Sequence, residues 1–404
     1  MRLTARILIS YMLLVILFTG TLTAAFSIPR SAIEDHVRLS VAQVADNGPI
    51  FTARLGLLEP FKLGTFSDCL ILGISYCADS SHPLSASMNA IFPAKDGSPV
   101  AGAHLMLNSP PDGTLQPVVY SRYWHGNQII IRPLLCVTTV NGIRLLNILL
   151  LSVMLLLLAV VMWRHVGHID TLIVTMSLAA VIIPSVPLCM NYVPTFFIAL
   201  GASLLILLWS RATCRWENTL TLFFVIGAVT AFFDLLTTPM IAMAVPMTVY
   251  NLKFKPKHPC RTVVWLALAW VAGYATLWAT KWFLAMAITG HAAIQDAMSA
   301  VTQRTVGHNE HDYMLWCLRM SGIAWAAVVA VTAAIVIPMR KSWQALCQNS
   351  WMLLVAMSSC VWTFVLLEHT WHHLHFTWRT FVVVVIGVLL FVHHSITIKP
   401  SSKQ

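Results

Sequence analysis

Two carboxylates stand out because their neighbours are apolar. Asp68 lies in Thr65-Phe66-Ser67-Asp68-Cys69-Leu70-Ile71-Leu72, and Asp234 in Phe232-Phe233-Asp234-Leu235-Leu236-Thr237-Thr238-Pro239. Cations occupy similar settings. Lys281 sits in Trp278-Ala279-Thr280-Lys281-Trp282, and Arg379 follows Phe376-Thr377-Trp378. Arg122 and His125 share Tyr120-Ser121-Arg122-Tyr123-Trp124-His125-Gly126, Arg132 precedes Pro133, and Arg319 falls in a further apolar run. An ionisable residue inside or at the edge of a membrane segment is costly and by default marks function. Two carboxylates among several cations suit a phosphate-bearing substrate: the cations hold the phosphate and a carboxylate acts as base. Structural roles compete with this reading. Asp234 could pair with Lys281, Asp68 could cap a helix, and Arg122, Arg132 and Arg144 could anchor at headgroups.

Histidines form a second set. His369 and His373 stand four apart, and His308 and His311 three apart, so a helix could present either pair to a divalent metal. Neither segment matches H-E-x-x-H, and substrate hydrogen bonding is the role we assign to His369, His373 and His308. No cofactor is required by these residues. His393 and His394, near the far end of the chain, read as headgroup contacts.

The elements that must position these residues follow from composition. Of 404 residues, 58% are hydrophobic and only 10% charged, which excludes a soluble enzyme. Runs of roughly 20 apolar residues, enough to cross a bilayer, centre on ten stretches. These are 7–28, 145–163, 169–188, 193–209, 218–237, 239–252, 262–287, 314–338, 351–367 and 380–397. Pro239 and Pro246 mark the sixth as broken or re-entrant. The first reads as a retained span, longer than a signal-peptide core. Ten spans with both termini in the cytoplasm put basic residues in every inner connection, including Arg164, Arg211, Lys253, Lys255 and Arg340. The net charge of +10 therefore reports membrane orientation, not nucleic-acid binding.

The chain divides into a first span (1–28), an extracytoplasmic region (29–144), a multi-span domain (145–397) and a cytoplasmic tail (398–404). In the extracytoplasmic region Ile33, Val37, Val41 and Val44 predict an amphipathic helix lying along the membrane surface. The region lacks an N-x-[ST] sequon, which favours a bacterial origin. Nine cysteines include no C-x-x-C pair, which argues against a zinc ribbon. Cys69 and Cys77 share a stretch in which pairing stays open. The two carboxylates, the cations set beside them, and His308, His369 and His373 converge on the outer face, whereas His393 and His394 fall at the inner end.

This layout resembles the GT-C class of polytopic glycosyltransferases, with a long first external loop, a membrane-surface helix and an early acidic residue. The stretches His369-x-x-x-His373-x-x-Phe376-Thr377-x-Arg379, Phe233-Asp234-x-x-Thr237-x-Pro239 and Trp278-x-x-Lys281-Trp282 also resemble poorly characterised Gram-positive membrane proteins of surface-polysaccharide or teichoic-acid glycosylation. The resemblance implies an all-α fold in a bacterial cytoplasmic membrane and a polyprenyl-phosphate-linked sugar donor. It also implies a glycan or teichoic-acid-like acceptor, with Asp68 as catalytic base and Lys281, Arg379 and Arg122 on the phosphate. A flippase, or a polymerase or ligase of lipid-linked saccharides, is the alternative. Charges at one face rather than across the midplane weigh against the flippase.

Overall fold

The computed structural model describes residues 3–45, 65–95, 98–108, 116–290, 292–306, 331 and 342–396. The chain opens with α1 (Leu3–Phe26) and a mainly helical region: α2 (Glu34–Ala45), α3 (Thr65–Cys77), α4 (Pro83–Met88), β1 (Ile91–Ala94), α5 (Pro99–Asn108), β2 (Gln116–Val119) and α6 (Gln128–Leu135). The bundle follows with α7 (Val140–His165), α8 (His168–Ser185), α9 (Val193–Leu208), the single turn α10 (Ser210–Thr213), α11 (Trp216–Phe233), α12 (Pro239–Phe254) and the 31-residue α13 (Pro259–Thr289). It ends with α14 (Ala293–Val306), α15 (Trp343–Val365), the short α16 (Leu367–His372) and α17 (Leu374–Thr377), and α18 (Val382–Ser395). Six helical stretches among the described residues are long and apolar enough to cross a bilayer. This is a helical, multi-pass membrane protein.

The structure corrects several expectations. The sixth apolar run is not broken: α12 is one continuous helix, with Pro239 in its first turn, where a missing N–H is harmless. Pro246 sits inside that helix. The fifth run ends as helix at Phe233, so Asp234 lies in an extended turn beyond it. The apolar stripe of α2 does not lie on lipid. Ile33, Val37, Val41 and Val44 are buried against Ile71 and Leu72 of α3 and Met106 of α5, because those helices have apolar faces that also need cover. The region between the first two spans is thus a folded cap with its own core. It contains one two-stranded antiparallel sheet, Ile91 opposite Val119 through Ala94 opposite Gln116. Cys69 and Cys77 are both free thiols on α3, and eight residues of helix separate them by about 12 Å, beyond disulfide reach. The expected span at 314–338, with Arg319, lies outside the described residues except for residue 331.

Helices α11 and α13 make the closest pairing in the bundle. A Cβ at Gly227 would stand 2.0 Å from the Trp270 carbonyl oxygen, and one at Gly273 would stand 1.9 Å from that of Phe224. Only glycine allows these backbones to touch, and close backbone approach is how helices associate in lipid. Gly201 on α9 meets nothing nearer than Met154 Cε at 3.6 Å. Gly273→Ala is therefore expected to lower stability by about 2–3 kcal/mol, and Gly201→Ala by less than about 0.5 kcal/mol. Thermal unfolding of the purified variants in detergent checks both.

Candidate functional site

The capped end of the bundle collects every sequence-predicted site residue that the structure describes, but it uses them in different ways. Arg132 is completely buried, and its guanidinium donates to the carbonyls of Ala25, Ile28 and Ser75. It ties the end of α1 to the end of α3. Lys281, also completely buried, donates to the Ser87 and Met88 carbonyls at the end of α4. Arg379 donates to Ser185 Oγ at 2.7 Å, and its guanidinium lies 4.1 Å from the centroid of the Tyr192 ring. These three cations bind protein groups that would otherwise be buried without partners. The expected Asp234–Lys281 pair does not form.

Asp68 sits in the first turn of α3 with both carboxylate oxygens engaged. Oδ1 accepts from Met190 N at 2.9 Å and from Cys189 Sγ, and Oδ2 accepts from Arg144 Nη2 at 3.2 Å. Burial pushes its carboxyl up, against the pull of Arg144 and the Met190 N–H. Arg144 is thus an ion-pair partner in the cap, not a headgroup anchor.

Asp234 differs. Oδ1 accepts from Thr237 N and Oγ1, whereas Oδ2 is buried with no hydrogen-bond partner among the described residues. Around it stands an aromatic cluster. Tyr123 meets Trp278 edge-on at 5.4 Å, Trp278 lies 5.7 Å from Tyr274, and Tyr274 lies 6.3 Å from Trp362. Tyr274 OH and the indole Nε1 atoms of Trp278 and Trp362 are likewise buried without partners. Two arginines stack on the outer rings: Arg122, 4.4 Å from the Tyr120 centroid, and Arg304, 5.6 Å from that of Tyr123. Arg122 also pairs with Asp296 at 3.1 Å. Orphaned polar atoms are rare in protein interiors, and a group of them calls for an explanation.

The loop 120–127 that completes this cluster is pinned at both ends. Trp124 Nε1 donates to the Leu277 carbonyl and Trp282 Nε1 to that of Arg122. Gly126 N donates to the Phe232 carbonyl, and a Cβ there would strike the Phe232 ring at 2.4 Å. Between these pins His125 takes φ 55° and is wholly buried. Its Nε2 faces the Tyr120 carbonyl at 2.9 Å, so that nitrogen carries the proton and Nδ1, which has no partner among the described residues, is an acceptor.

An apolar groove of about 310 Å³ adjoins the cluster, lined by Asn127, Leu134, Leu150, Met190, Phe197 and Phe233 among others. Asn127 is 3% exposed, and neither side-chain polar atom has a partner among the described residues. Two of its lining residues neighbour the carboxylates: Met190 donates its N–H to Asp68, and Phe233 precedes Asp234 in the chain.

Of the histidines, His369 Nε2 lies 2.9 Å from the Leu236 carbonyl oxygen, beside the Asp234 turn, and its ring centroid is 4.6 Å from that of His373. His308 and His311 lie outside the described residues. His393 and His394 do not await headgroups: both face Asp170. The sequence motifs name Trp278 only as a neighbour of Lys281, in the stretch Trp278-x-x-Lys281-Trp282, and single out none of Tyr274, Trp362, Arg304 or Asp296 as site residues. The signal available was the four-residue spacing of Trp270, Tyr274, Trp278 and Trp282, which places four aromatics on one face of α13. No protein-family model matches the chain, and no curated protein or solved structure matches it.

Burial lowers the His125 pKa to about 3, with Lys281 and Arg122 adding to the effect. The unfolded imidazole, near 6.5, then binds a proton that the folded one refuses. Stability present above that value is lost as pH falls toward 3. Between pH 7 and 5 this group should remove about 2 kcal/mol. Melting of wild type and His125→Gln at both pH values tests it, with the variant showing the smaller loss.

Proposed function

We propose that the chain is a membrane glycosyltransferase that moves a sugar from a polyprenyl-phosphate donor to an extracytoplasmic glycan or related acceptor. One observation carries the reading: an apolar groove reaches Phe233, the residue before Asp234, whose Oδ2 belongs to a cluster of buried polar groups without partners among the described residues. A lipid-linked sugar has these two halves. Its hydrocarbon chain suits the groove, and its phosphate suits Arg122 and Arg304. The sugar suits the aromatic faces and the free donors of Tyr274, Trp278 and Trp362, since binding sites combine apolar walls with a few placed polar groups.

In this reading Asp234 Oδ2 takes the proton of the acceptor hydroxyl as its oxygen attacks the anomeric carbon. The bond from that carbon to the phosphate oxygen breaks, and polyprenyl phosphate leaves with the electron pair. Asp234 takes the base role in preference to Asp68, because both Asp68 oxygens are held by protein donors. Transfer would be inverting, since one carboxylate acts and none serves as nucleophile. A ten-span arrangement with both termini in the cytoplasm is part of the proposal. Cys260 beside Ser350, 3.3 Å apart, puts the starts of α13 and α15 at the same end, a parity that the ten-span count requires.

Purified protein in lipid, given a panel of polyprenyl-phosphate sugars with candidate acceptors, tests the reading through release of free polyprenyl phosphate. We expect release by wild type and a loss of about 100-fold or more in Asp234→Asn. No release from any donor, with the lipid-linked sugar carried across the bilayer, would identify a flippase instead. Joining of two lipid-linked saccharides would identify a polymerase.

A further inference from the structure

At the end of the bundle opposite the cap, Asp170 in the first turn of α8 faces His393 and His394 in the last turn of α18. His394 Nε2 lies 2.9 Å from Asp170 Oδ1, and His393 Nε2 lies 3.9 Å from the same oxygen. One ligand atom from each of the three side chains falls within 4.8 Å of the others. Consecutive helical residues diverge by about 100°, so two adjacent imidazoles aimed at one carboxylate oxygen have both turned inward. The carboxylate is 11% exposed and the imidazoles are 29% and 32% exposed. The cluster is therefore walled by protein on one side and reached by water on the other.

We propose that Asp170, His393 and His394 bind a divalent transition-metal ion of the zinc class, with water completing the coordination. Two imidazole nitrogens and one carboxylate oxygen are a borderline donor set that favours such ions over calcium or magnesium. Zinc bonds of 2.0–2.2 Å place tetrahedral ligand atoms about 3.4 Å apart, and the two observed separations straddle that value. The ion would replace the His394–Asp170 hydrogen bond and staple the ends of α8 and α18. The proposal does not depend on the glycosyltransferase reading, which concerns the other end of the bundle.

The test uses tag-free, full-length protein in lipid nanodiscs, stripped with a chelator and then titrated with Co2+ and Zn2+. We expect one ion per chain, visible Co2+ ligand-field absorption of a low-coordinate nitrogen and oxygen site, and displacement by Zn2+. Asp170→Asn and His394→Ala should each weaken Zn2+ binding by about tenfold or more. His258→Ala, at another histidine of the same end, should not. Absence of the Co2+ signal in wild type, or equal Zn2+ affinity in wild type and both cluster variants, overturns the proposal and leaves a hydrogen-bonded helix tie. Should either variant fail to fold, the wild-type spectrum alone decides.

Discussion

The close backbone approach of α11 and α13, at Gly227 against Trp270 and Gly273 against Phe224, governs where the chemistry-bearing groups stand. Lipid offers no hydrophobic drive for helices to pair, so their association rests on packing and on hydrogen bonds. With the backbones of α11 and α13 touching, the turn after α11 holds Asp234 beside the aromatic face of α13. The same face continues to Leu277 and Trp282, which anchor the loop carrying Arg122 and His125. A single bulky residue at the crossing would separate the carboxylate from the ring cluster. It would also separate the loop from both.

The buried cations show a second constraint of the membrane boundary. Backbone carbonyls at helix ends need donors, and water is excluded from this part of the protein. Arg132 serves the ends of α1 and α3, and Lys281 serves the end of α4. These long side chains reach several carbonyls from one position and so fasten the cap to the bundle. The indole N–H groups of Trp278 and Trp362, the Tyr274 O–H and Asp234 Oδ2 differ from these cations in having no partner among the described residues.

This division explains what the sequence disclosed. Apolar runs reveal helices because a bilayer fixes their length: nine of the ten expected runs fall on described helices, and six described stretches are long and apolar enough to cross a bilayer. Charged residues in apolar settings pointed to one end of the molecule, and the structure gathers them at the capped end, since the cost of burying a charge depends on local hydropathy. Whether a given charge meets a ligand or a carbonyl depends on which loop docks over it, and no local pattern encodes that. Asp68 and Asp234 look alike in sequence; only the docking of the Cys189–Met190 segment and of Arg144 distinguishes them. The α2 stripe failed for a related reason, because periodicity shows that a face is covered and not what covers it.

Helix α13 has a consequence of its own. Its 31 residues rise about 46 Å, whereas the hydrocarbon core is about 30 Å thick. One uninterrupted rod therefore runs from the far side of the bilayer into the cap, with Trp278 and Lys281 on its upper part. A rod longer than the bilayer answers changes in thickness by tilting. Because Leu277 and Trp282 hold the 120–127 loop, such a tilt would swing the roof of the cluster with it. The loop is also tied to Phe232, two residues before Asp234, so the roof and the turn would move with this rod as one body.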